Sequence, residues 1–188
     1  MNMKKILFVV FVVLFTSCAR WSVSRQVKRF NGSEIVFPSS LKLVEGTNPY
    51  YKIYEKPNGS LVYWFDENEC SICRLSNMAE MRKLFNLCRD SLQGVDIRLI
   101  FSPSFSNKES FMEFLEDSER EFSVYVDESN LFGKINYVIP KDRQYHTFLL
   151  DKDNKVLLAG NPLLGPTIWN LYRTIMFSLS KNNGSLIP

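Results

Sequence analysis

Histidine is almost missing from this chain: His146 is the only one, and of the four cysteines only Cys70 and Cys73 lie close together. A structural zinc site built from two Cys pairs or from a Cys pair plus a His pair therefore has too few ligands. Long apolar runs are also lacking. The unbroken stretch from Ile6 to Phe15 has ten residues, against about 20 for a helix that crosses a bilayer. Charge of one sign is missing as well: without Lys4 and Lys5 the chain has 21 basic and 20 acidic residues, or +1 from Cys18 onward. Such a balance gives no reason to expect a nucleic-acid partner. Internal repeats and low-complexity tracts are absent too.

What is present fits one ordinary domain with a short appendage, since 188 residues at 45% hydrophobic allow a sizeable core. Fifteen Phe, eight Tyr and three Trp favour sheet packing over a purely helical bundle, so an α/β fold is expected. Residues 1–17 read as a secretory signal: Lys4 and Lys5, the short apolar run, then Thr16 and Ser17 before Cys18. That end resembles a lipobox, with Phe15 where leucine is usual, and makes Cys18 the expected lipidation site. Cleavage without lipid and retention as an anchor are the alternatives. Residues 18–33 read as a lipidated tether in which Arg20, Arg25, Lys28 and Arg29 either lie against anionic head groups or are simply solvated. No acidic run follows Cys18, which favours a periplasm-facing location, and the outer membrane is the expected membrane.

The folded domain is expected over residues 34–188. Glu34 to Pro38, Leu41 to Val44 and Tyr50 to Tyr54 are extended candidates that would form an N-terminal strand extension. Leu61 to Phe65 is the continuous apolar run of a central strand. Met78, Met81, Leu84, Phe85 and Leu87 then recur at helical spacing, which predicts one amphipathic helix over Ile72 to Ser91. A strand at Val95 to Phe101, a helix at Asn107 to Glu121 and a strand at Val124 to Asp127 continue the βαβα alternation. Thr147 to Asp151 and Val156 to Gly160 flank the turn Lys152-Asp153-Asn154-Lys155, and a last helix covers Pro166 to Leu179.

Cys70-Ser71-Ile72-Cys73 therefore falls between a hydrophobic strand and a helix. There the first thiol faces solvent at a helix N-terminus, whose partial positive charge favours the thiolate. On the residues alone, disulfide exchange, a stable bridge and metal binding all remain open. Cys88, on the apolar side of its helix, reads as a core residue. Arg74 is either an attractor for the thiolate or a solvated charge.

Together, Val62 to Phe65, the Cys-x-x-Cys, and His146-Thr147-Phe148-Leu149-Leu150-Asp151 with its hairpin turn resemble the thioredoxin-like superfamily. The resemblance is closest to TlpA-like thiol-disulfide oxidoreductase lipoproteins of Gram-negative bacteria. It implies a thioredoxin-like fold with a central mixed β-sheet flanked by helices. It also implies Cys70 as nucleophile, Cys73 as resolving thiol, and Tyr145, His146 and Thr147 along the substrate groove. Helix geometry, with Cys73 nearly one turn further in, predicts that it packs beneath Cys70.

Three positions depart from that pattern. Tyr145 stands where members of the superfamily carry a cis-proline, Trp64 replaces a buried acidic residue, and Glu69 replaces the tryptophan common before the first cysteine. The Glu69 charge should disfavour the Cys70 thiolate, while Asp66, Glu67 or Glu69 could take over as proton acceptor. The expected function is a membrane-tethered oxidoreductase needing no cofactor beyond its dithiol. Its expected partners are periplasmic client proteins with cysteines, a membrane redox partner and, through lipid, the membrane; the chain itself is expected to be a monomer. The alternatives are a thioredoxin-fold copper chaperone using Cys70, Cys73 and His146, and a redox-inert binding lipoprotein.

Overall fold

Leu61, Val62, Tyr63 and Phe65 leave no polar face for water, and the strand that holds them, Gly59–Phe65 (β2), lies in the interior of the sheet. The structure, a computed structural model, describes residues 25–186. The expected signal segment and Cys18 lie outside the described residues. Around β2 stand Lys42–Val44 (β1), Val95–Phe101 (β3), Val124–Val126 (β4), Thr147–Asp151 (β5) and Val156–Ala159 (β6), in the order β1-β4-β3-β2-β5-β6. The β2–β3 and β3–β4 pairs are parallel and the others antiparallel. This is the mixed sheet of a thioredoxin-like fold, and the N-terminal strand extension is present as the three residues of β1.

Alternation along β2 sends Leu61, Tyr63 and Phe65 into one core and Val62 and Trp64 into another. The larger core lies under three helices, Arg82–Ser91 (α2), Lys108–Asp117 (α3) and Pro166–Lys181 (α5). They contribute Leu84, Phe85, Phe111, Leu115, Tyr172 and Met176, all buried. The opposite face is closed by Phe30, Ile35 and the short helix Leu131–Ile135 (α4), with Phe132 and Ile139. Sheets covered on both faces have continuously apolar strands, which is why β2 shows no polar alternation.

The tether boundary needs correcting. Residues 25–30 are helical, and Phe30 is completely buried, with its ring edge-on to Phe148 at 5.2 Å. Gly32 N–H donates to Val156 O at 2.7 Å and Val156 N–H to Ser33 O at 2.9 Å, strapping this segment along β6. The packed unit therefore begins ahead of Glu34.

Other expectations also shift. Of Glu34 to Pro38 only Glu34 pairs, in an isolated bridge with Lys155. Tyr50 to Tyr54 is not a strand because side chains take the main-chain groups of Tyr54: its N–H donates to Asp96 and its carbonyl accepts from Arg98, each at 3.0 Å. Asp96 and Arg98 are themselves buried on β3, 3.4 Å apart, with the guanidinium over the Phe37 ring. The single helix expected over residues 72–91 is broken into Ser71–Ser76 (α1), a 3₁₀ turn at Met78–Met81, and α2. Ser76 Oγ and Asn77 Nδ2 donate back to the carbonyls of Ile72 and Cys73, local bonds that compete with helix continuation.

Candidate active site

At the C-terminal end of β2 the chain turns through Asp66, whose carboxylate accepts from Asn68 N–H at 2.8 Å and whose carbonyl accepts from Glu69 N–H at 3.0 Å. This turn delivers Cys70 as the N-cap of α1. Its Sγ accepts from the backbone N–H of Cys73 at 3.2 Å, while its carbonyl accepts from Arg74 N–H at 3.0 Å. Cys70 and Cys73 form a disulfide, with Cα atoms 5.2 Å apart. Both cysteines are exposed. The expected burial of Cys73 beneath Cys70 is therefore not found, because α1 is a short outer turn and its buried residues are Ser71 and Leu75.

The Glu69 carboxylate does not act on Cys70 alone. Arg74 reaches it with Nη2 at 2.6 Å and Nε at 2.7 Å, and the Glu69 side chain is only 5% exposed against 54% for Arg74. Arg74, open in the sequence between attractor and solvated charge, is thus the partner of the residue preceding the dithiol.

A cavity of about 360 Å³ has Glu69, Arg74, Met78, Arg143, His146 and Thr147 in its wall, which includes the chain neighbours of the two cysteines but neither cysteine itself. Of the expected groove residues, His146 and Thr147 line it and Tyr145 stands outside. Tyr145 belongs to a 3₁₀ turn, Arg143–Tyr145, capped by the Asp142 side chain. Among the described residues there is no cis peptide bond. Arg143 donates to Asn68 O at 3.3 Å, tying this turn to the dithiol loop.

His146 is buried rather than solvated, with its ring tilted against Trp64 at 4.4 Å. Its Nε2 lies 3.1 Å from Pro140 O, and since a carbonyl only accepts, Nε2 carries the proton. Nδ1 has no hydrogen-bond partner, the nearest carboxylate being Asp66 at 3.8 Å. Among the described residues no group of three or more His, Cys, Asp and Glu side chains that could hold a metal ion is found.

Burial holds the His146 imidazole below its ordinary value of 6.5, opposed by Asp66, the Pro140 bond and Glu69, and assisted by Arg143. The unfolded chain consequently binds more protons than the native one between the native pKa and 6.5. Stability should be lost as pH falls through that window. His146→Gln keeps a donor for Pro140 and should flatten this part of the profile, as measured by thermal melts at about pH 5 and about pH 7.5; an unchanged slope would refute the assignment.

The Trp64 indole occupies the place of the acidic residue and donates to Ser102 Oγ at 3.0 Å, which donates to Asp127 at 3.2 Å. Asp127 is fully buried and also receives the N–H groups of Leu131 and Phe132, so it caps α4. Neither this chain nor α4 was legible beforehand. Gly133 is required here, since a Cβ would come within 2.5 Å of the indole. Cys88 is half-buried against the main core, and burial, with the Asp96 charge adding, pushes its thiol up to about 12. It fits the expected packing role.

No family model matches the chain, and no curated protein matches it. Among solved structures, a candidate thiol:disulfide interchange protein DsbE from Chlorobium tepidum is 17% identical with a TM-score of 0.48, covering 79% of this chain and 97% of that one. The pneumococcal exposed lipoprotein thioredoxin Etrx1 from Streptococcus pneumoniae is 16% identical with a TM-score of 0.43, covering 72% and 99%. A thioredoxin-like protein from Porphyromonas gingivalis is 17% identical with a TM-score of 0.43, covering 81% and 97%.

Proposed function

We propose that this chain, built on a thioredoxin-like fold, is a membrane-anchored, periplasm-facing thiol-disulfide oxidoreductase that exchanges disulfides with client proteins through Cys70 and Cys73. The observation that carries the reading is the solvent-exposed Cys70–Cys73 disulfide at the N-cap of α1. In the reducing direction the Cys70 thiolate attacks a client disulfide. One S–S bond forms, one breaks, and a client thiolate leaves. Cys73, deprotonated, then attacks the Cys70 sulfur and expels the second client thiolate. The client gains two electrons and two protons, and the protein is left as its disulfide. The oxidising direction is the same sequence reversed. The Cys73 N–H that points at Cys70 Sγ is placed to stabilise the thiolate in either direction.

Electrons move only between sulfurs, so no cofactor is invoked. Turnover needs a membrane redox partner to reset the dithiol. The signal-like residues before Cys18 support lipidation there, which would anchor the protein in the outer membrane, and the chain acts as a monomer.

Trapping tests the reading. Cys73→Ser should accumulate covalent client adducts in the host, recovered with the detergent phase, whereas Cys70→Ser should trap almost none; Cys18→Ala should release those adducts from the membrane. Because both sulfurs are exposed, adducts forming equally in the two variants would reverse or erase the assignment of nucleophile. Absence of adducts from both would leave the redox-inert reading standing.

A further inference from the structure

The charges that border the dithiol in the chain are bonded to each other. Glu69 immediately precedes Cys70, Arg74 immediately follows Cys73, and the two side chains meet at 2.6 Å. The carboxylate is 5% exposed and the guanidinium 54%, so this pair is partly shielded from salt. Other charges nearby are engaged elsewhere. Asp66 and Arg143 face each other at 3.8 Å, and Glu67 accepts from Asn130 at 2.9 Å. Glu80 lines the cavity from within the 3₁₀ turn Met78–Met81, and burial lowers the proton affinity of His146.

We infer that the Glu69–Arg74 ion pair is a potential-setting device: it keeps the Cys70–Cys73 couple reducing by confining to Glu69 a cation that would otherwise stabilise the Cys70 thiolate. This rests on the reading of the dithiol as redox-active. Neither residue exchanges electrons or protons with the sulfurs, and both act as positioning residues. In the couple, the disulfide takes up two electrons and two protons to give the dithiol. Whatever stabilises the thiolate of the reduced state raises the potential, and whatever opposes it lowers the potential. With the pair intact, the positive charge of Arg74 is matched by a buried negative charge on the residue next to Cys70. Removing the carboxylate leaves the cation unmatched beside the dithiol. Removing the guanidinium leaves the buried carboxylate unmatched instead.

The two substitutions should therefore move the equilibrium in opposite directions. In dithiothreitol buffers, where the electrons and protons come from dithiothreitol as it closes to its cyclic disulfide, Glu69→Gln should favour the reduced protein about tenfold. By the two-electron relation this is a rise of about 30 mV. Arg74→Gln should favour the disulfide about three- to tenfold, and Arg74→Lys should stay within about twofold of the parent. The pH at which Cys70 is half alkylated should fall in Glu69→Gln and rise in Arg74→Gln. If the pair were only a mechanical clasp holding the cysteines together, both Gln variants would lose ring-closing preference and shift the same way. A shift of the same sign in both variants, or none in either, overturns the inference. These equilibria are read without any client, so a failure here is distinct from an absence of trapped adducts, which would count against the enzyme itself.

Discussion

A chain cut to begin at residue 34 should melt on the order of 10 °C below one that begins at residue 25. The cut removes Phe30, which is fully buried, edge-on to Phe148, in the core cluster that also holds Val62, Ile100 and Phe132. Deleting a buried phenylalanine ring costs about 3–5 kcal/mol, and each kcal/mol lowers the melting temperature of a domain this size by about 2–4 °C. The cut also strips Val156 of both hydrogen bonds to Gly32 and Ser33. Phe30→Ala in the longer chain should reproduce most of the loss, which separates the ring from the main-chain strap. Equal melting temperatures for the two lengths would show that the helical residues 25–30 contribute nothing to the domain.

The second large effect concerns the buried pair on β3. Arg98→Ala should destabilise the protein by about 3–5 kcal/mol, because it leaves the Asp96 carboxylate buried without its countercharge. It also leaves the Tyr54 carbonyl without the Arg98 donor. Replacing both charges at once, as Asp96→Leu with Arg98→Met, should cost less than the single change, since no uncompensated charge then remains. The residual cost should reflect the two hydrogen bonds lost by the half-buried main-chain groups of Tyr54, at about 0.5–1.5 kcal/mol each. Denaturant melts of the three proteins decide the matter: a double variant less stable than Arg98→Ala would mean that the pair contributes net attraction and does not merely satisfy itself.

These two sites also mark what the sequence could and could not disclose. β3 and β5 were legible to the residue, since a continuous apolar run and a turn-bounded hairpin are signals that depend on neighbours in the chain. Phe30 was not, because one aromatic among Arg25, Lys28 and Arg29 has no periodicity to reveal it. The break at Asn77 was hidden for the opposite reason. Met78 and Met81 keep facing the core through the 3₁₀ turn, so the apolar spacing continues while the helix does not. α4, with five residues, is too short for any period to show, and its cap comes from Asp127. At the site, the two cysteines were evident from their spacing and flanking elements. The Glu69–Arg74 contact was not, because Glu69 precedes the helix and the separation of five residues is not one at which helical side chains meet. Tyr145 ends a 3₁₀ turn that no period in the sequence announces, and it is His146 beside it that is buried.

The strap formed by residues 32–35 has a further consequence, in colloidal terms. A sheet edge with unpaired N–H and C=O groups is a template on which other strands can polymerise. On one side of this sheet the outermost strand is the three-residue β1, which carries Lys42. On the other, Gly32, Ser33 and Ile35 bond to Val156 and Asn154, so part of the margin of the β5–β6 hairpin is already occupied by the protein's own chain. Losing the strap thus does more than soften the core: it exposes an edge, and the shortened chain should precipitate at concentrations where the longer one stays in solution.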